Sequence, residues 1–246
     1  MRGTHAPLSR ADALTLLSEG EITVEGLIPW SSNATLLVTA RLPGLTCLAV
    51  YKPQRGERPL WDFATGTLGK REVAAYLVSE ALGWDLVPPT LLREGPLGLG
   101  SVQLYVRAQE DAHYFTIREE GTHGLDLMRL VALDAAINNA DRKSGHCLED
   151  LEGHVWAIDN ALTFHVLPKL RTVIWDYAGT PLPANIQDDL RRVRDDLQSS
   201  AGLGRALAAL ITDTEIGGLL RRLESLIQSG RFPEPGPGRA VPWPLV

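Results

Sequence analysis

The sequence predicts an α+β protein of two lobes, with a strand-rich N-lobe over residues 1–106 and a helix-rich C-lobe over 107–232. Three observations support this. Before residue 107, short β-prone runs separated by turn residues enclose one clear helical pattern. Beyond it the apolar spacing becomes helical and the segments lengthen, and the change falls near residues 107–123. Two lobes provide a natural place for a ligand.

Taken in order, Ser9 is placed to cap a short helix, with Asp12 three residues on and Leu14, Leu16 and Leu17 following. ITVEGLI (22–28), TLLVTARL (35–42) and TCLAVYK (46–52) read as strands, and Pro43 and Gly44 suit the turn between the last two. From Pro53 to Gly69 the chain is polar and turn-rich, a loop for Trp61 and Phe63 to pin down. KREVAAYLVSEALG (70–83) sets Val73, Ala74, Leu77, Val78 and Leu82 on one helical face and closes at Gly83. After Val87-Pro88-Pro89, SVQLYV (101–106) is a short strand. LDLMRLVALDAAINNA (125–140) is helical and mostly buried, and CLED and HVWAID are strands around a Glu152-Gly153 turn. Helical segments follow at 187–200 and 205–229, and the tail over 233–246 is proline-rich and extended.

The 246 residues are 44% hydrophobic, enough for a sizeable core. A net charge of −6 and a pI near 5.5 give no general attraction for phosphate backbones or anionic lipid, so neither nucleic-acid binding nor stable membrane insertion is expected. Cys47 and Cys147 are too few for a disulfide scaffold and form no CxxC pair. With no apolar h-region at the start and no run near the ~20 apolar residues of a membrane span, a soluble cytoplasmic protein is expected. Nothing in the sequence sets an oligomeric state.

Four residues stand out chemically. Lys52 ends the apolar run AVYK, where a lysine either faces water or reaches phosphate oxygens. Glu72 lies in the opening turns of the 70–83 helix, either as a solvated acid favoured by the helix dipole or as the partner that holds Lys52. Asp141 follows the buried helix directly, where the dipole opposes a negative charge; an Asx-turn or a functional carboxylate accounts for it. Asp159 ends an apolar strand before Asn160, as a turn residue or a cation ligand. Two acids flanking a two-stranded unit, with a Lys–Glu pair upstream, suit a metal and a nucleotide phosphate.

In their order, Lys52 in VYKP, Glu72 in REVAAYLVSEALG, VPPT (87–90), GSVQLYV (100–106), NNADR (138–142) and AIDNALTF (157–164) resemble the catalytic core of the phosphatidylinositol 3- and 4-kinase-like superfamily. The nearest likeness is to type II phosphatidylinositol 4-kinases, more distantly to HipA-type kinases, and the chain looks like an actinobacterial branch. The resemblance implies a bilobed, atypical protein-kinase-like fold using ATP with Mg2+ or Mn2+. It implies that Lys52 contacts the ATP phosphates and Glu72 holds it, while the backbone near Tyr105 and Val106 meets the adenine. Asp141 becomes the catalytic-loop Asp that orients the acceptor hydroxyl, and Asp159 a metal ligand.

Two features depart from that pattern. Relatives carry Asn five residues after the catalytic Asp, where this chain has His146. An imidazole there either ligates a cation, suiting manganese or zinc better than magnesium, or contacts a phosphate, or leaves one metal site empty. SSNAT (31–35) has no glycine; it is either a phosphate-covering loop acting through Ser32 and Asn33 or an ordinary polar turn. His154 and His165 could join His146 and Cys147 at zinc, but the spacing matches no common zinc motif. Trp175 and Tyr177 lie where the family's substrate loop runs, and either shape the acceptor site or belong to the core.

The expected function is therefore ATP-dependent transfer of a γ-phosphoryl group to a hydroxyl of a protein Ser/Thr or a small molecule. A phosphoinositide acceptor is less favoured, because the chain lacks a cysteine-rich palmitoylation stretch and a basic amphipathic helix. A nucleotide-binding pseudokinase that regulates a partner is the alternative, favoured by His146 and the glycine-free loop. A metal-dependent phosphohydrolase using the two acids leaves Lys52 and the 101–106 strand without a role.

Overall fold

The computed structural model describes residues 8–29, 34–199 and 202–245. The chain forms two compact units, Met1–Gly69 with Pro88–Tyr105, and Lys70–Val87 with Val106–Val246.

The first unit opens with α1 (Arg10–Glu19), and Ser9 Oγ accepts the Asp12 N–H at 3.1 Å as its N-cap. β1 (Glu21–Leu27), β2 (Leu36–Leu42), β3 (Leu45–Pro53), β4 (Thr90–Gly95) and β5 (Gly98–Leu104) make one antiparallel sheet in the order β1-β2-β3-β5-β4. Leu17 of α1 packs with Leu36, Val38, Ala49, Tyr51 and Val102 on one face of the sheet. The register pairs Val38 with Ala49 and Tyr51 with Val102, so the apolar side chains meet across strands. Each large apolar side chain buried in this way contributes about 1.5–3 kcal/mol. Tyr51 Oη satisfies itself on the Gly98 carbonyl at 2.5 Å. Because side chains alternate, Lys52 lies on the opposite face, with Val50 and Ser101.

Several expectations for this unit need correction. β4 was not expected; its sequence TLLREG puts Arg93 and Glu94 where a strand pattern wants apolar residues. Arg93 serves another purpose: its Nη1 donates to the Leu17 and Gly20 carbonyls at 2.8 and 2.9 Å, satisfying the end of α1. β5 ends at Leu104 rather than residue 106, although the Tyr105 N–H still reaches the Leu48 carbonyl at 3.0 Å. Of the two aromatics expected to pin the 53–69 loop, Phe63 is buried and Trp61 is 90% exposed.

The second unit holds α2 (Leu68–Leu82) from Lys70 onward, then α3 (Tyr114–Glu120), α4 (Gly124–Ile137), β6 (Cys147–Glu149), β7 (Val155–Ala157), α5 (Ala184–Gln198), α6 (Leu203–Ala208) and α7 (Asp213–Ser229). α2 is buried on most of its circumference, not on one face, and several of its polar side chains are tied into this unit. Arg71 pairs with Glu215 at 2.5 Å and donates to the Thr163 carbonyl at 2.6 Å. Ser79 Oγ accepts the Leu86 and Val87 N–H groups, and Glu72 Oε2 accepts the Asn160 N–H at 2.9 Å.

α4 is the centre of this unit, buried from Leu130 through Ile137. α5 and α7 bury Ile186, Leu190, Val193 and Leu197, and Leu219, Leu223 and Leu226, at helical spacing. The single helix expected over 205–229 is two helices. Thr212 starts α7 through a capping box, its Oγ1 accepting the Glu215 N–H while Glu215 Oε2 accepts the Thr212 N–H at 2.9 Å. Among the described residues no helix is long and apolar enough to cross a membrane.

Candidate active site

The site begins where α4 stops. Asn138 takes the left-handed conformation, φ 55° and ψ 52°, and ends the helix at Ile137. Its side-chain amide donates to the carbonyls of His165 and Leu167, both at 2.7 Å, and accepts the Lys169 N–H. Asp141 therefore sits in a loop beyond the helix, and the dipole reasoning applied to it from sequence does not hold. Nor does Asp141 make the turn: Asn139 Oδ1 accepts the Asp141 N–H at 3.0 Å, so the Asx-turn belongs to Asn139. The Asp141 carboxylate stands 3.2 Å from Lys143 Nζ. Burial pushes its carboxyl above the ordinary value; Lys143 offsets part of this, and nearby Asp159 adds to it.

Arg142 is fully buried and uses all five of its donors. Nε and Nη2 grip the Asp134 carboxylate at 2.9 Å each. Nη2 also donates to Asn160 Oδ1 at 2.5 Å, and Nη1 to the carbonyls of Ile158 at 2.7 Å and His146 at 3.3 Å. Its backbone N–H meets the Arg171 carbonyl at 3.0 Å. Burial alone pulls a guanidinium pKa down, but the Asp134 carboxylate more than reverses that, so Arg142 is firmly charged. One side chain thus ties α4 to the Asp141 loop and to the segment after β7.

The β6–β7 hairpin delivers Asp159. The Ile158 N–H bonds the His146 carbonyl at 2.9 Å, and Asn160 is held by Glu72, Arg142 and the Ala157 carbonyl. Between these anchors Asp159 adopts φ 55°, which costs a non-glycine residue about 1–3 kcal/mol and clusters at functional sites. Its side chain is 44% exposed, and Oδ2 lies 3.4 Å from His146 Nε2. The structure thus brings Asp141, His146 and Asp159 together within one unit. A divalent cation completed by phosphate and water needs only one or two protein ligands, and the Asp159 carboxylate and the His146 imidazole are the groups available to hold one, the imidazole suiting manganese better than magnesium. Among the described residues no group of three or more His, Cys, Asp or Glu side chains could hold a metal alone.

The remaining residues singled out from sequence have the following surroundings. Lys52 is half-buried on β3 of the first unit, which Tyr105 closes; Val106 opens the next segment of the second. Ser32 and Asn33 lie outside the described residues. His154 Nε2 contacts the Asp85 carbonyl at 2.7 Å, and His165 Nδ1 accepts the Leu167 N–H at 3.0 Å. Burial pushes the Cys147 thiol up to about 12. Trp175 Nε1 donates to the Ala240 carbonyl at 3.1 Å, and Tyr177 stacks obliquely on buried Phe232. Sequence reasoning missed Asp134, Asn139 and the role of Arg142. The available signal was Asp134 itself, an acid inside the apolar run LVALDAAI that requires a buried partner.

No family model matches the sequence. Among solved structures the fold is similar to the Helicobacter pylori proinflammatory kinase CtkA, with a TM-score of 0.53 over 88% of this chain and 94% of that one. At 10% identity the likeness is one of fold, and it agrees with the kinase-like α+β class expected from the strand-rich and helix-rich parts. The sequence is 40% identical to protein Rv2133c of Mycobacterium tuberculosis over an alignment of 268 positions that covers 96% of each chain. Identity at that level along nearly the whole of both chains means that this protein belongs to the same family as Rv2133c.

Proposed function

We propose that this protein is an atypical kinase, an ATP-dependent phosphotransferase acting on a hydroxyl of a protein Ser/Thr or a small molecule. The observation that carries the reading is the convergence of Asp141, His146 and Asp159 on one scaffold held by Arg142. Phosphoryl transfer depends mainly on positioning and charge neutralisation, and this group supplies both. Asp141 orients the acceptor hydroxyl and accepts its proton, and the upward shift caused by burial makes it a better proton acceptor. Lys52 contacts the ATP phosphates with Ser32 and Asn33, Glu72 supports Lys52, and the backbone at Tyr105 and Val106 receives the adenine. Asp159 and His146 hold Mg2+ or Mn2+, which when bound neutralises charge on the phosphates. The lobe assignments, a cytoplasmic location and the lack of a nucleic-acid partner are part of the same reading. A phosphoinositide acceptor is less favoured on the acidic charge.

The second reading is a nucleotide-binding pseudokinase, favoured by the imidazole standing 3.4 Å from Asp159 where relatives place an oxygen ligand. Transfer from radiolabelled ATP to protein, metabolite and lipid pools, measured beside the ATP-induced rise in melting temperature, separates the two. The kinase reading expects Asp141→Asn to cut transfer by orders of magnitude while the thermal shift persists. A wild-type shift without any transfer selects the pseudokinase, and no shift with any nucleotide or metal removes both.

A further inference from the structure

The proline-rich tail is not a loose end. Three residues beyond α7, Phe232 is buried and exchanges main-chain bonds with Gly179 and Thr180. The tail runs exposed over residues 234–239 and returns to the protein at Ala240, half-buried, and Pro242, buried. Two of its carbonyls then meet two separate loops. The Ala240 carbonyl accepts the Thr172 N–H at 3.1 Å and the Trp175 indole N–H at 3.1 Å. The Leu245 carbonyl accepts the Ser144 N–H at 2.9 Å.

Both backbone donors are in residues closed to solvent, Ser144 at 0% and Thr172 at 2% exposure. Ser144 is three residues after Asp141 and two before His146. The backbone at Thr172 forms an isolated parallel β-bridge with Arg142, so through Ser144 and Thr172 the tail holds both the Asp141 loop and the segment paired with it. Arg142 fixes the loop to the core, and the tail fixes the far end of the same turn.

We propose that residues 240–245 are a positioning strap for the loop of Asp141, and that phosphoryl transfer requires the strap in place. The inference rests on the kinase reading for its chemistry but not for its geometry. The strap acts through the backbone of Ser144 and Thr172. Misplacing a catalytic group by 1 Å can cost about 100-fold in rate. Losing the strap therefore lowers kcat and leaves ATP binding almost unchanged.

The test uses the full chain, a chain lacking residues 235–246, and Pro242→Asp, which puts a charge at a buried tail position and displaces the strap without removing it. In both altered chains, amide exchange at Ser144 and Thr172 should speed by about 10-fold or more while α4 keeps its protection. Transfer should fall about 10- to 100-fold with KM for ATP within about twofold. A synthetic peptide of residues 235–246 should restore transfer to the shortened chain. Unchanged exchange at both amides overturns the strap, as does accelerated exchange with full transfer. If the intact chain neither binds ATP nor transfers phosphate, the kinase reading falls by itself, and the strap is then decided by the exchange of the two amides.

Discussion

Replacing Arg142 by Met removes a charge and keeps a long side chain in a site where the guanidinium is 0% exposed and Asp134 is 1% exposed. The Asp134 carboxylate is left in a dry interior with the Asn139 amide at 2.9 Å, and the carbonyls of His146 and Ile158 lose a donor. Removing one partner of a buried ion pair costs about 3–5 kcal/mol, a large share of the 5–15 kcal/mol that typically holds a protein folded. For a chain of this size each kcal/mol moves the melting temperature by about 2–4 °C, so the expected fall is roughly 6–20 °C. Thermal melts and guanidinium titrations measure it directly. Asp134→Asn combined with Arg142→Met removes both charges of the buried pair and should be more stable than Arg142→Met alone. A fall below about 2 °C in the single variant, or a double variant as unstable as the sum of the two singles, would refute the reasoning.

Three further outcomes are expected. Burial, offset by Lys143, raises the Asp141 carboxyl, so its ionisation costs more in the folded than in the unfolded chain. That cost is absent below the unfolded pKa of about 3.9 and grows as pH rises through the folded value. Asp141→Asn should thus raise the melting temperature at pH 7 but not at pH 3, and an equal or lower value at pH 7 would contradict this. His146→Asn should move the ATP-dependent thermal shift from a preference for Mn2+ toward Mg2+; an unaltered preference takes His146 off the metal. Cys147, buried and pushed up to about 12, should resist iodoacetamide at pH 8 until the protein unfolds, as mass spectrometry would reveal.

What could be read without coordinates was local. β1 to β3 follow from alternating apolar residues and a Pro43-Gly44 turn, and β6 and β7 from two short apolar runs around Gly153. Asp141 and Asp159 were visible as acids on either side of that hairpin because chain order alone puts them there. Where one local pattern competed with a distant partner, the reading failed. β4 carries Arg93 because that side chain caps α1, and the burial of α2 beyond its apolar face rests on ties through Arg71 and Glu72 that its own spacing does not show. α7 begins at Thr212 because of a capping box that an apolar pattern running through the break conceals.

The sequence by itself determined the alternation of strands and helices, the class of the fold and the residue types available for chemistry, since periodicity and turn preference act over a few residues. Only the tertiary structure decided which segments those residues join. A buried charge such as Asp134 or Arg71 announces in the sequence only that it needs a partner. That the partners are Arg142 and Glu215, and that the tail closes over Ser144, depends on residues far apart in the chain meeting in a dry interior. There the cost of leaving a charge or an N–H group unmatched is greatest, so the packed structure, not the local sequence, selects the partner.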